Sequence, residues 1–284
     1  MKCLQTRRRQ PGRSALSVIF WWVLVSNFTL LLLKLFYRIR RIGREHIPET
    51  GPAIFIANHQ SFLDPCIVGV LTMDRPFSSL ARASLFRNPI FGWIIRQLGA
   101  VPITQGRGDA GALRTALGEL KAGRTVMLYP EGSRTPDGRV HEFQRGVLLL
   151  IKKAQAPIIP VALEGGHDIW PIGRAAPRLT GRLAVKAGEP IDPETLMREH
   201  GDAPMEFLQS RIDRMRAELR EQLRKQSGGR YPRPDEADHE PTAAEDQGGA
   251  QTGDQRGDQR GEENRENQSG GSRTEADSGR TSSK

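Results

Sequence analysis

The chain has 284 residues, a formal net charge of +9 and a calculated pI near 10.0. Its two cysteines, Cys3 and Cys66, exclude a disulfide framework, and no zinc-finger, RNP-type aromatic or basic-zipper pattern accompanies the charge, which argues against nucleic acid as the anionic partner. Residues 227–284 hold 8 basic and 13 acidic side chains, a net of −5, which leaves +14 on the first 226; the folded part therefore suits anionic lipid surfaces or phosphorylated substrates.

Lys2, Arg7, Arg8, Arg9 and Arg13 precede nineteen residues, 15–33, that are apolar except for Ser17, Ser26, Asn27 and Thr29. A helix of that length is roughly 28 Å long, about the thickness of a hydrocarbon core, and predicts membrane attachment. Lys34, Arg38, Arg40, Arg41 and Arg44 follow, so both flanks are basic and the positive-inside rule puts both on the cytoplasmic side. One straight span cannot satisfy that. The expectation is a helix dipping into one leaflet, then a basic amphipathic stretch with Leu35, Phe36, Ile39 and Ile42 lying on anionic lipid, the whole forming a leader of residues 1–45. No small-x-small site follows the apolar run, which argues against a cleaved signal peptide.

Residues 46–226 read as one α/β domain with a largely parallel or mixed sheet flanked by helices. Predicted strands are 52–57, 77–81, 100–104, 125–129, 158–163 and 182–187, and helical patterns lie at 65–73, 84–98, 109–122 and 146–155. Cys66 reads as a small buried hydrophobe in the first of these helices. In 204–225 apolar residues recur at Met205, Leu208, Ile212, Met215, Leu219 and Leu223, a stripe that docks on a core. After Gln226 almost nothing is apolar, and Gly-Asp-Gln-Arg occurs twice in tandem over 253–260, so 227–284 is predicted to be a disordered tail.

Four clusters carry chemistry. Asn58-His59-Gln60-Ser61-Phe62-Leu63-Asp64 follows the first strand and puts an imidazole and a carboxylate on a strand-to-helix turn. A carboxylate on one ring nitrogen lets the other take a proton from an alcohol. The competing reading makes Asp64 a helix N-cap, with Pro65 in the first turn and Ser61 at capping-box spacing. Tyr129-Pro-Glu-Gly-Ser-Arg-Thr135 ends a strand with a glycine, a glutamate and an arginine, which suits anion binding or a plain surface turn. Gly-flanked Arg107 ahead of a helix start is an anion contact or an ordinary loop. Ala156-Pro-Ile-Ile-Pro-Val-Ala162 is a strand broken by Pro160, hence an edge strand or a bulge.

In this order the clusters resemble the glycerolipid acyltransferases, specifically the 1-acylglycerol-3-phosphate acyltransferases. Asn-His-x-Ser-x-x-Asp matches Asn58, His59, Ser61 and Asp64; Pro-Glu-Gly-Thr-Arg matches Pro130, Glu131, Gly132 and Arg134, with Ser133 for threonine; the proline-centred strand matches Ile159, Pro160 and Val161, and 143–146 is similar to Phe-Lys-x-Gly. The departure is in the second motif, where Thr104-Gln105 stand in place of an arginine and Arg107, with Arg82, is the substitute phosphate contact.

The resemblance implies transfer of a fatty acyl group from an acyl-CoA or acyl carrier protein thioester to the hydroxyl of 1-acylglycerol-3-phosphate, a lysophospholipid, giving phosphatidic acid. It implies His59 as general base with Asp64 as its partner. Glu131, Gly132, Ser133, Arg134, Arg107 and Arg82 would contact substrate, with a backbone N–H near Gly132 as oxyanion donor. No cofactor or metal is expected, and the catalytic domain is expected on the cytoplasmic side of the cell membrane, against anionic lipid. The alternatives are an acyltransferase for another lysolipid and a non-catalytic lipid-binding protein.

Overall fold

Alternating side chains in short apolar runs decide the sheet. In β2 (Ile54–Ala57), Ile54 and Ile56 point to one face and Phe55 and Ala57 to the other, and all four are buried, as in a strand covered on both sides. The computed structural model describes residues 18–73, 75–103 and 110–238; residues 1–17 of the leader with Cys3, the loop containing Arg107 and the tail from 239, with its predicted disorder, lie outside the described residues. The remaining strands are β1 (Arg40–Ile42), β3 (Phe77–Arg82), β4 (Ala100–Ile103), β5 (Thr125–Leu128), β6 (Ile158–Glu164) and β7 (Ala184–Ala187). They lie in the order β1-β7-β6-β2-β5-β3-β4, parallel throughout except for the antiparallel β6–β7 pair.

Helices α1 (Val25–Tyr37, continued from a π-helical stretch Val18–Leu24) and α2 (Asp64–Thr72) share one core with the Phe55 face. Helices α4 (Ala110–Lys121), α5 (Arg145–Ala154), α7 (Pro193–Glu199) and α8 (Pro204–Ser227) share the other with the Ile54 face. Each fully buried Ile, Leu or Phe in these layers contributes about 1.5–3 kcal/mol. The predicted apolar stripe of α8 is buried as expected, with Leu208, Ile212 and Leu219 at 0% exposure. α3 (Pro89–Gln97) and the short α6 (Gly166–Ile169) complete the set.

The structure corrects several expectations. The basic stretch predicted to lie on lipid is partly β1, which pairs in parallel with β7, and Ile39 is buried. Arg41 donates to the Val70 carbonyl at 2.8 Å and Arg44 to that of Leu71 at 3.1 Å, so both satisfy free carbonyls at the C-terminal end of α2, where its dipole favours cations. The pattern at 84–98 divides into a 3-10 turn, Ala83–Phe86, and α3, because Pro89 cannot continue a helix and Asn88 caps a new one. Pro160 lies in a central strand, neither at an edge nor in a bulge. Its carbonyl accepts from Gly188 N–H just where β7 has ended, so its missing N–H removes no ladder bond. Cys66 is exposed on α2. Residues 227–238 are ordered against the domain: Ala237 is buried, and Asp235 and Asp238 pair with Arg220.

Candidate active site

The site residues leave the sheet at the C-terminal ends of its central strands β6, β2, β5 and β3, the end at which open α/β sheets bind ligands. After β2, Asn58 continues the pairing with its side chain, donating to the Leu163 carbonyl at 3.0 Å and accepting from Leu163 N–H at 2.8 Å. That lock fixes the direction in which the next residue leaves the strand. His59 is then held through its backbone, its N–H donating to Glu131 Oε1 at 2.8 Å and its carbonyl accepting from Thr135 N–H at 2.8 Å.

Asp64 closes the turn. Its Oδ2 accepts from Gln60 N–H at 2.6 Å, from Ser61 N–H at 2.8 Å and from His59 Nδ1 at 2.8 Å, while the side chain is 0% exposed. The helix-cap reading is thereby corrected: α2 begins at Asp64 itself, and the carboxylate points back along the loop instead of forward to the helix N–H groups. With Nδ1 donating to a carboxylate, the neutral ring presents Nε2 as its acceptor. Nε2 has no hydrogen bond to the described residues, and the His59 side chain is 19% exposed, so this is the nitrogen an incoming hydroxyl can reach.

Tyr129, which the sequence did not single out, stacks on the imidazole with ring centroids 4.0 Å apart and planes within 17°. Burial holds its phenol well above the usual range, with the charges of Asp64 and Cys66 adding to the rise, and its hydroxyl has no hydrogen-bond partner among the described residues. Gln60 also acts structurally. Its amide donates to the Gly138 carbonyl at 3.0 Å and accepts from Gly166 N–H at 3.1 Å. Gly166 packs closely there: a Cβ would lie 3.1 Å from both Asp64 Oδ1 and the Ser61 Cβ, tighter than most side-chain contacts.

Glu131 does not point at open solvent as a substrate contact would. Its two oxygens accept from the backbone N–H groups of His59 and His141, bracing the two loops against each other. Burial pushes its carboxyl up to about 8 against the pull of those two donors, and the charges of Asp64 and Asp137 add to the rise. Gly132 sits at φ +75°, which favours glycine, and its own N–H is committed to the Tyr129 carbonyl at 3.0 Å, so an oxyanion donor near Gly132 would be a neighbouring N–H. Ser133 is exposed beside it.

Arg134 lies with its guanidinium 3.5 Å over the Phe62 ring, and its Nη1 is buried without a partner among the described residues. Desolvation lowers its pKa first; Asp64 opposes that, and the nearby Arg82 lowers it further. Arg134 and Arg82 thus lie close enough to feel each other's charge, and Arg134 keeps an unused buried donor, which suits a phosphate contact. Arg107 cannot be placed with them, because it lies outside the described residues. Among the described residues no three His, Cys, Asp or Glu side chains gather as a metal site.

Behind Gln60 lies a buried ion network. Glu164, at the end of otherwise apolar β6, accepts from Arg216 at 3.2 Å through Oε2 and from Arg220 at 2.8 Å through Oε1, and Gln60 Nε2 donates to the same Oε2 at 3.4 Å. Arg220 continues to Asp238 at 2.6 Å and to Asp235, and Arg216 to the Ala237 carbonyl at 3.2 Å. The sequence offered two signals: an acid ending an apolar strand, and arginines four apart beside the apolar stripe of α8.

Comparison with known proteins gives consistent relatives. The acyltransferase family matches residues 38–164. A chloroplastic 1-acyl-sn-glycerol-3-phosphate acyltransferase of Arabidopsis thaliana is 33% identical over 55% of this chain and 44% of its own length. The alpha 1-acyl-sn-glycerol-3-phosphate acyltransferase of Mus musculus is 30% identical over 61% of this chain and 64% of its own. The crystal structure of a 1-acyl-sn-glycerophosphate acyltransferase from Thermotoga maritima superposes with a TM-score of 0.60 at 30% identity, covering 69% of this chain and 78% of that one. The chain spans about half the length of the first curated relatives it matches.

Proposed function

We propose that this chain, which belongs to the acyltransferase family, transfers a fatty acyl group from a thioester to the free hydroxyl of 1-acylglycerol-3-phosphate, giving phosphatidic acid. The observation that carries the reading is the 2.8 Å contact between His59 Nδ1 and a fully buried Asp64 carboxylate, which leaves Nε2 to act as the base, with Arg134 near enough to feel the Asp64 charge.

In the reaction Nε2 takes the hydroxyl proton as the alkoxide oxygen attacks the thioester carbonyl carbon. The C–S bond breaks as the tetrahedral intermediate collapses, and imidazolium returns the proton to the leaving thiolate. Asp64 stabilises the imidazolium and fixes its tautomer; Tyr129 limits rotation of the ring. Arg134, with Arg82 behind it, holds the acceptor phosphate, and Phe62, half exposed beneath the guanidinium, lies where the glycerol backbone would pass. Acyl-CoA or acyl carrier protein serves as donor. A thioester is already activated, so neither cofactor nor metal has a step to perform.

The apolar helix Phe20–Tyr37, long enough to cross a membrane, would supply attachment. Trp22, Leu30, Leu33 and Tyr37 are buried against the domain, while Phe20, Leu24, Phe28, Leu31, Leu32, Leu35 and Phe36 are bare. A helix docked along one side and bare along the other fits immersion in one leaflet better than a crossing. The basic flanks favour the cytoplasmic side and anionic lipid.

The test is purified full-length protein with an acyl thioester and a panel of lysolipids. Phosphatidic acid formed from lysophosphatidate, and abolished in His59→Ala, is the expected result. Preference for a zwitterionic lysolipid would replace the acceptor, and no acyl transfer to any lysolipid would overturn the enzyme reading.

A further inference from the structure

α3 presents a face that neither the sheet nor the site uses. Asn88 caps the helix by accepting from Phe91 N–H at 3.0 Å, and Gly92 lies so close to the 3-10 turn before it that a Cβ would come within 3.0 Å of the Phe86 backbone. That contact fixes which side of α3 turns inward. It leaves Leu85, Ile90, Phe91 and Trp93 outward, with Ile90 72% and Trp93 56% exposed. Isolated exposed apolar residues need no explanation, but four together, two of them aromatic, mark an interaction surface.

Two further observations identify the occupant. Trp93 meets Trp21 edge to face at 5.2 Å, and Trp21 meets Phe20 at 5.0 Å, so the patch is continuous with the bare stripe of the N-terminal helix. Residues 82–96 contain three arginines and no acidic residue, and all three, Arg82, Arg87 and Arg96, are exposed. Tryptophan and aliphatic side chains framed by cations alone are the composition of an element lying in an anionic membrane interface. At nine residues, α3 is about 14 Å long, too short to cross a bilayer and long enough to lie in its surface.

We propose that α3 is a second membrane-contacting element, inserting Ile90 and Trp93 into an anionic-lipid leaflet beside the N-terminal helix and so orienting the mouth of the site towards the bilayer. The inference rests on the reading of this chain as an enzyme of membrane lipids. Arg82, at the end of β3, is joined to α3 by the turn Ala83–Phe86 and the two residues Arg87 and Asn88, so an acceptor phosphate at the Arg82 and Arg134 pair would lie close to the plane in which α3 rests.

The experiment is vesicle flotation of the full-length protein with Ile90→Glu and Trp93→Glu combined, on phosphatidylcholine with and without phosphatidylglycerol. Both side chains are exposed, so the melting temperature should stay within about 2 °C of the parent. Leu149→Glu, an exposed apolar residue on α5, serves as control. Binding to phosphatidylglycerol vesicles should fall at least tenfold in the double variant and stay unchanged in the control. As a second measurement, an environment-sensitive dye is attached to the single thiol of an Ile90→Cys variant that also carries Cys3→Ser and Cys66→Ser, and its emission should shift to the blue on those vesicles. Unchanged flotation, an unshifted dye, or a dimer that the double variant breaks in the absence of lipid would overturn the proposal. Acyl transfer in detergent is measured separately: an enzymatically dead chain that still needs Ile90 and Trp93 to bind vesicles would sink the proposed function and leave this inference standing.

Discussion

Asp64→Asn separates the chemical role of this residue from any structural one, and the geometry sets its magnitudes. If Asp64 only capped a helix, asparagine would replace it within about 0.5 kcal/mol. In the structure Oδ2 accepts three hydrogen bonds while Oδ1 is buried with no partner among the described residues. An asparagine can keep its oxygen at the Oδ2 position, but its NH2 then occupies the Oδ1 position beside Gly166, where no acceptor is found. A buried unsatisfied donor costs about 1–3 kcal/mol, and three bonds lose their charge assistance, so a loss on the order of 2–3 kcal/mol in urea unfolding is expected. The catalytic loss should be larger. Imidazolium loses its counter-charge, and the alternative arrangement, amide N–H towards Nδ1, turns the ring to the tautomer that cannot accept through Nε2; the corresponding change in serine proteases costs about 10⁴. Turnover should fall at least about 100-fold, with His59→Ala similar and the double variant little worse, since the two act as one unit. Near-normal turnover in Asp64→Asn beside a dead His59→Ala would refute the reasoning and require another partner for the base.

Glu131→Gln should flatten the pH dependence of stability. The folded pKa of about 8 lies above the unfolded value, so the contribution is fully present below about pH 4.5 and is lost as pH rises through 8, at up to about 1.4 kcal/mol per unit; urea midpoints from pH 5 to 9 would show the slope vanish in the variant. Arg134→Ala should raise the KM for a phosphate-bearing acceptor roughly 10- to 100-fold, the value of one or two charge-assisted bonds, and leave the KM for the thioester unchanged in steady-state assays. Tyr129→Phe keeps the ring on His59 and should retain turnover within about threefold, whereas Tyr129→Leu, which loses the stacking, should lower kcat about tenfold without changing the acceptor KM. Stopping the chain after Asp238 should be neutral, while stopping after Gln226 removes the Ala237 carbonyl from Arg216 and Asp235 and Asp238 from Arg220, leaving Glu164 to both, and should lower the urea midpoint by the equivalent of about 2 kcal/mol, moderated because water then reaches the guanidiniums.

What the sequence disclosed and what it concealed follow from the range of the forces involved. β2, β5 and β6 are apolar runs bounded by breakers, so local pattern sufficed, and the order His59, Asp64, Pro130, Glu131, Arg134 survives in any reading because motifs are short. The role of Glu131 was not legible. A carboxylate beside an arginine reads as a substrate grip until the fold shows it accepting two backbone N–H groups, one of them from 72 residues away. Tyr129 was equally silent, since an aromatic at a strand end is ordinary until the neighbouring strand delivers an imidazole to its face.

The basic residues show the same limit more sharply. Arg41, Arg44, Arg216 and Arg220 all contribute to a composition that points to anionic lipid, yet Arg41 and Arg44 hold the carbonyls of α2, and Arg216 and Arg220 are 0% and 6% exposed on Glu164. A net charge counts these four as available to a membrane; the fold commits Arg216 and Arg220 to a buried network and gives Arg41 and Arg44 carbonyl partners. Residues 227–238 are the mirror case, acidic and poor in apolar groups, and so unable to order through burial alone. They order because two buried arginines need more carboxylate than Glu164 and Asp213 supply, and removing one partner from a buried charge costs more than ordering a short segment to provide it. Because Gln60 touches the same Glu164, that electrostatic demand ends one residue from His59, which makes the C-terminal segment part of the support of the site.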